Sequence, residues 1–297
     1  MLIPILFAAT VAAQVPTFSA TVDMVGVTVT AVDSVTGIPV PDLTINDLAV
    51  FEDGVYQQMA HFGREDVPAS ILVLVDASGS VKSLTQLIQD AATRLILSLR
   101  EYDEVQVAQF GTRYQELTDF TTDHEIAAAA LSRGFVKDDS TSLTRALLVA
   151  IRSLEMRHPG DAERRRIIVL LSDGENTMGS FSEQSILDQL RRSGVLCYVV
   201  HIARIRFSDE DRIAQARQFM ERVAHESGGR LVTVPYDHPL LLATAYTDIA
   251  NELGTQYHIA YLSSATKPGW HEIAVVLRSR VGITLRFRRG YYVPLSR

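Results

Sequence analysis

Five consecutive aliphatic residues, Ile71-Leu72-Val73-Leu74-Val75, run directly into an acid, Asp76. A strand with one face in water alternates apolar and polar positions, so an unbroken aliphatic run predicts a strand covered on both faces, as in a parallel sheet. Helical spacing follows: Leu84, Ile88, Ala91, Leu95 and Leu99 fall on one face of an amphipathic helix. The pattern recurs along the chain. Val105 to Phe110 precedes a helical face of Leu143, Leu147, Ala150, Ile151 and Leu154, and Ile167 to Leu171 precedes Ile186, Leu187 and Leu190. Val195 to Ile202 precedes Ile213, Met220 and Val223, and Arg230 to Val234 precedes a helix over Leu240 to Leu253. Strands alternating with helices imply right-handed crossovers and a doubly wound, Rossmann-like sheet with helices on both faces. Residues 68–262 are therefore expected to form an α/β domain around a mostly parallel sheet.

Both ends of the chain follow a different period. Val25, Val27 and Val29 alternate with Gly26, Thr28 and Thr30, and short strand patterns at Ala49 to Phe51 and Val55 to Phe62 are bounded by turns at Thr36-Gly37 and Asp53-Gly54. In the tail, Ile273, Val275 and Leu277 alternate, Val281-Gly282 turns, and Ile283, Leu285 and Phe287 alternate again, which predicts a hairpin within 263–297. Residues 1–63 hold six acids and no Lys or Arg, whereas 263–297 hold seven bases and one acid. Two or three strands are marginal alone. The expectation is that flanks 18–63 and 263–297 join into a small β-sandwich into which the α/β domain is inserted. The alternatives are two separate β appendages, or a basic Arg286 to Arg289 cluster that serves an outside acidic partner.

The formal net charge is −7, with 28 Lys+Arg against 35 Asp+Glu and no long basic run, so the electrostatic footprint of a nucleic-acid binder is missing. The single cysteine, Cys197, rules out an intrachain disulfide framework and a multi-cysteine zinc site. Its place in the buried pattern Val195 to Ile202 also rules out a lipidated N-terminal cysteine. Leu2 to Ala13 has the length of a signal-peptide apolar region and ends in Val11-Ala12-Ala13, although no basic residue precedes Arg64. Residues 1–13 are expected to be a cleaved export signal, too short to span a bilayer, and no later segment is long and apolar enough to do so. The mature chain is expected in the periplasm or outside a bacterial cell.

Ligand sites of doubly wound sheets lie outside the carboxyl ends of the strands. There the first aliphatic strand presents Asp76-Ala77-Ser78-Gly79-Ser80, and Ile167 to Leu171 ends in Ser172-Asp173-Gly174-Glu175. A third segment, Asp138-Asp139-Ser140-Thr141-Ser142-Leu143, precedes a helix. Asp76 and Asp173 with the hydroxyls of Ser78, Ser80 and Thr141 make a hard oxygen set, suited to Mg²⁺. With few charged ligands the ion stays electrophilic and has room for an acid from another molecule. Taken alone, Ser78 and Ser80 also read as helix N-caps. Glu175, Asp138 and Asp139 read as solvated loop acids; Asp139, Ser140 and Glu175 are placed to touch the site from outside it.

Other chemistries lack parts. Asp76 as a phosphoryl acceptor has no acid two residues on and no lysine placed for phosphate, and there is no G-x-S-x-G elbow, P-loop or G-x-G-x-x-G. The histidines, among them His201, His225, His238 and His258, show no metal spacing. Trp270, Tyr291 and Tyr292 are expected to pack across strands. A hydrolase or phosphatase using the same Mg²⁺ to activate water is the competing class, with Glu175 and Asp139 the nearest candidates for its base.

The D-x-S-x-S run, the loop threonine and the strand-end S-D-G together resemble the three parts of the metal-ion-dependent adhesion site of von Willebrand factor type A domains, over about residues 68–262. The resemblance implies that Ser78, Ser80 and Thr141 ligate Mg²⁺ (or Mn²⁺) by hydroxyls, and Asp76 and Asp173 directly or through water. The remaining position would take an Asp or Glu carboxylate of a partner protein, so the implied role is adhesion or recognition, not catalysis. Over Phe18 to Pro294 the chain also resembles exported bacterial proteins related to this family, of the acidobacterial type, through Asp47 to Gly54 and Arg288-Arg289-Gly290-Tyr291-Tyr292. Ser140 stands where many A domains carry glycine.

Overall fold

The computed structural model describes residues 24–64, 67–132, 140–159, 161, 164–177, 181–203, 210–265 and 267–293. The expected signal peptide, Asp138 and Asp139 lie outside the described residues.

The aliphatic run becomes β5 (Ala69–Asp76), all eight residues of which are buried. It lies between β6 (Glu104–Phe110) and β8 (Arg165–Ser172) in a six-stranded sheet, completed by β9 (Leu196–Ala203), β10 (Leu231–Pro235) and the short β7 (Tyr114–Glu116). The order is β10-β9-β8-β5-β6-β7, parallel throughout except for β7, which runs antiparallel at one edge. Alternate residues of β5 feed opposite cores. Ile71, Val73 and Val75 meet α1 (Thr85–Leu97), α2 (His124–Leu131) and α6 (Leu241–Leu253), while Leu72 and Leu74 meet α3 (Leu143–Met156), α4 (Glu183–Ser193) and α5 (Glu210–Ser227). This is the doubly wound arrangement that continuous apolar strands require. The alanine-rich α2 had no stripe of large side chains to announce it; Asp123 caps it by accepting from the Ile126 N–H at 3.2 Å. Among the described residues no helix is long and apolar enough to cross a membrane.

The flanks build two four-stranded antiparallel sheets. One has the order β13 (Ile283–Arg286), β1 (Met24–Asp33), β11 (Tyr257–Leu262), β4 (Met59–Gly63), and the other β14 (Gly290–Val293), β12 (Gly269–Leu277), β2 (Leu48–Glu52), β3 (Val55–Gln57). Val27, Val29, Leu48, Val50, Ile259 and Ile273 bury between them as a third core.

Two expectations need correction. The tail is not a hairpin: β12 pairs with β2 and β14, whereas β13 pairs with β1 in the opposite sheet. Both strands alternate because both face the same sandwich core from opposite sides, and alternation does not distinguish paired strands from facing ones. The second concerns β11, within the span assigned to the α/β domain, which pairs antiparallel with β1 and β4, so the parallel sheet ends at β10 and its last helix is α6. Charge contributes modestly between the flanks. Arg280 reaches Asp42 at 2.9 Å at the surface. Arg286 turns inward to the buried Glu252 of α6 at 2.6 Å and so ties the sandwich to the α/β domain, not to an outside acid.

Candidate metal centre

β5 and β8 are neighbours in register, with Val75 opposite Leu171, so their carboxyl ends bring Asp76 and Ser172 side by side. Asp76 is fully buried, and both of its oxygens are already bonded: Oδ1 accepts the Ser78 N–H at 2.9 Å and Oδ2 accepts the Ser172 hydroxyl at 2.7 Å. Ser172 in turn accepts the Gly174 N–H at 3.0 Å, which shapes the turn carrying Asp173. Gly174 adopts φ +82°, a conformation that suits glycine.

Ser78 and Ser80 place their hydroxyls 2.8 Å apart at the mouth of the 3₁₀ turn Gly79–Leu84. Neither caps the turn in the way the helix N-cap reading requires, since Ser78 makes no side-chain capping bond. Thr141 is buried, and its backbone is held from the β8 loop: its N–H donates to Thr177 Oγ1 at 2.8 Å, and the Thr177 hydroxyl donates to its carbonyl at 3.3 Å. The loop is thus positioned through its main chain.

Asp173 is the least satisfied acid. Oδ1 accepts the Glu175 N–H at 3.2 Å, while the buried Oδ2 has no hydrogen-bond partner among the described residues. Burial, and then the charge of Asp173, push the Asp76 carboxyl up to about 7. A cation beside the two acids would offset the charge that burial otherwise removes by protonation. The residues fit a hard divalent ion: an orphaned carboxylate oxygen, a hydroxyl pair and a third hydroxyl on a neighbouring loop. Among the described residues no group of three His, Cys, Asp or Glu gathers that could hold a metal.

Of the outer candidates, Ser140 is part-buried beside Thr141, and Glu175 points to α5, where Arg212 lies 3.7 Å away. Ser172 and Thr177 were not recognised as site residues from sequence. Ser172 stood in the S-D-G motif but read only as a strand end, and nothing in the sequence marks Thr177.

The family model of the von Willebrand factor type A domain matches residues 70–236. The chain belongs to that family. Human (Homo sapiens) inter-alpha-trypsin inhibitor heavy chain H4 is 23% identical over 215 residues, 69% of this chain and 22% of that protein. The chain therefore spans about a fifth of the length of that curated relative. Among solved structures, a von Willebrand factor type A protein from Catenulispora acidiphila is similar over 93% of this chain and 76% of its own, with TM-score 0.54 and 11% identity. Proximal thread matrix protein 1 from the mussel byssus, with a zinc-occupied metal-ion-dependent adhesion site, is similar over 64% of this chain and 48% of its own, with TM-score 0.52 and 18% identity. The pilus adhesin SpaC from Lactobacillus rhamnosus GG matches over 84% and 48%, with TM-score 0.51 and 12% identity. At these identities the likeness is one of fold. The match to the Catenulispora protein extends past the α/β domain into the flanking strands, since it covers 93% of the chain.

Proposed function

We propose that this chain is an exported recognition module that binds an acidic side chain of a partner protein through a divalent cation, Mg²⁺ or Mn²⁺. Ser78, Ser80 and Thr141 would hold the ion by their hydroxyls and Asp173 by its free Oδ2. Asp76, whose oxygens each already accept a protein donor, would act through water or a remaining lone pair. When bound, the cation supplies an electrophilic position that a partner's Asp or Glu carboxylate completes. The observation that carries this reading is the buried Asp173 Oδ2, without a hydrogen-bond partner among the described residues, near a second buried acid and a pair of hydroxyls. Such a set neutralises the ion incompletely and leaves it to an outside anion. Export is supported by the apolar segment Leu2 to Ala13.

The test is calorimetric titration of Mg²⁺ and Mn²⁺ into wild type, Ser78→Ala and Asp173→Ala, with circular dichroism to check folding, followed by capture of partners with Mg²⁺ and elution by chelator. Wild type is expected to bind one ion, both variants to lose it, and partner proteins to elute only on chelation. Folded variants that bind the ion like wild type would remove the reading.

A further inference from the structure

Away from the metal centre, where the sandwich meets the α/β domain, lies a small cavity of about 50 Å³ lined by arginines of both units: Arg164 and Arg166 at the start of β8, and Arg288 just after β13. His258 of β11 and Thr28 of β1 complete the sandwich side. Several polar atoms of these residues are unpaired. Arg166 Nε, Arg288 Nε and both ring nitrogens of His258 are buried without a hydrogen-bond partner among the described residues. Buried polar groups of native proteins are almost always paired, so unpaired atoms on three residues that line one cavity point to an occupant.

The charge balance says which kind. Arg164 is matched by Glu104 at 3.6 Å and Asp161 at 3.5 Å. No carboxylate among the described residues pairs with Arg166, which donates to the carbonyls of His158 and Asp161 at 3.3 and 3.2 Å. Arg288 likewise meets no carboxylate among the described residues: it donates to the Gly26 carbonyl at 2.6 Å and lies over the Tyr291 ring at 5.9 Å from its centroid. Its guanidinium passes through space that only a glycine leaves open: a Cβ on Gly194 would stand 2.6 Å from Nη1. The carboxyl end of α4 beside it supplies partial negative charge at most. Burial, with Arg166 nearby, lowers the Arg288 pKa from its usual range, and burial pulls His258 down to about 4, with His61, Arg165 and Arg288 adding to the effect. Water would satisfy the arginine donors only by turning its own hydrogens toward other cations, whereas an anion accepts from the guanidinium groups and from the single N–H of neutral His258.

We infer that this cavity is an anion site that takes a tetrahedral oxyanion, phosphate or sulfate, bridging Arg164 and Arg166 of the α/β domain to Arg288 and His258 of the sandwich. Size agrees. One water needs roughly 10–15 Å³ of such space, so 50 Å³ holds about the four oxygens of one oxyanion. Planar guanidinium forks match oxyanion geometry, which chloride does not exploit. Held there, the ion joins the two units across a seam where like charges would otherwise face each other. The inference does not depend on the metal reading.

The test uses the full chain in chelator, so that phosphate cannot enter through a bound cation, and titrates phosphate, sulfate and chloride at matched ionic strength by calorimetry and thermal melting. Wild type is expected to bind one phosphate or sulfate and to gain about 4 °C or more in Tm at saturation, with chloride much weaker. Arg166→Gln and Arg288→Lys should each weaken oxyanion binding at least tenfold, while Arg192→Gln, an exposed arginine of α4 outside the cavity, leaves it unchanged. Arg166→Gln decides the matter if the Arg288 variant does not fold. Wild type that binds no oxyanion at about 10 mM, chloride as effective as sulfate, or undiminished binding in Arg166→Gln would each overturn the assignment.

Discussion

Ser172 Oγ donates to Asp76 Oδ2 at 2.7 Å across two adjacent parallel strands, joining the first and last parts of the candidate metal centre. The bond orients the Oδ2 side of the Asp76 carboxylate. Ser172→Ala is expected to lower Mg²⁺ affinity by about 10- to 100-fold, as loss of a group supporting a ligand commonly does, while the chain still folds. Calorimetry with Mg²⁺ on both proteins measures this; equal affinities would show that Asp76 needs no such support.

Asp76 also sets a pH dependence for the metal-free protein. Its folded pKa, raised by burial and by Asp173 to about 7, stands above the ordinary 3.8, so the folded state holds its proton more tightly than the unfolded chain. The stability this group contributes is full below pH 3.8 and is lost as pH rises toward 7. In chelator, this carboxyl should therefore make the melting temperature fall over that window. Asp76→Asn should flatten the fall and match or exceed wild type at pH 8, yet gain nothing from added Mg²⁺. Parallel melting curves in chelator and in Mg²⁺ check both halves.

The parallel sheet was legible in the sequence because Ile71 to Val75 and Ile167 to Leu171 are buried on both faces, and only such burial tolerates unbroken aliphatic runs. The strand-end positions of Asp76 and Asp173, with Ser78 and Ser80 just beyond the first, were legible for a related reason: the runs that end there are the buried strands β5 and β8, and ligand sites of such sheets lie outside strand ends. What stayed hidden was pairing. Ile273 and Ile283 show the same alternation whether their strands pair or face one another, and β11 reads as one more strand until Tyr257 to Leu262 finds β1 beside it. Thr177 was hidden because its hydroxyl acts on the backbone of a residue 36 positions away, and no local pattern encodes that.

Gly174 links the candidate metal centre to α5. At φ +82° an L side chain is strained, and a Cβ there would stand 2.5 Å from Met220 Cε, the end of a flexible side chain. Gly174→Ala is expected to destabilise the fold by about 1–3 kcal/mol. Met220→Ala added to it should recover the steric part but not the backbone part, so the double variant should be more stable than the two single losses sum to. Denaturant unfolding of the four proteins in the cycle measures the coupling; strict additivity would mean the two side chains do not meet.

Glu104 offers a test far from the metal centre. It is buried at the start of β6 and accepts from Ser70 Oγ at 2.6 Å, Arg157 Nη2 at 2.7 Å and His158 Nε2 at 2.9 Å. Burial alone would raise its carboxyl, but the bonds from Arg157 and Ser70, with the charges of Arg157 and His158, outweigh it and hold the group at about 2. Because the folded value lies below the ordinary 4.5, the stabilisation is complete above pH 4.5 and disappears as pH falls through about 2. Arg157 is 40% exposed, so solvent screens part of the effect, and about 2 kcal/mol remains at neutral pH. Glu104→Gln should cost about that much at pH 7, and the gap between wild type and variant should close as acid protonates the wild-type carboxylate. Urea unfolding of both proteins from pH 7 down to about 3 follows the closure, and a gap that stays constant with pH would show that packing, not charge, accounts for the loss.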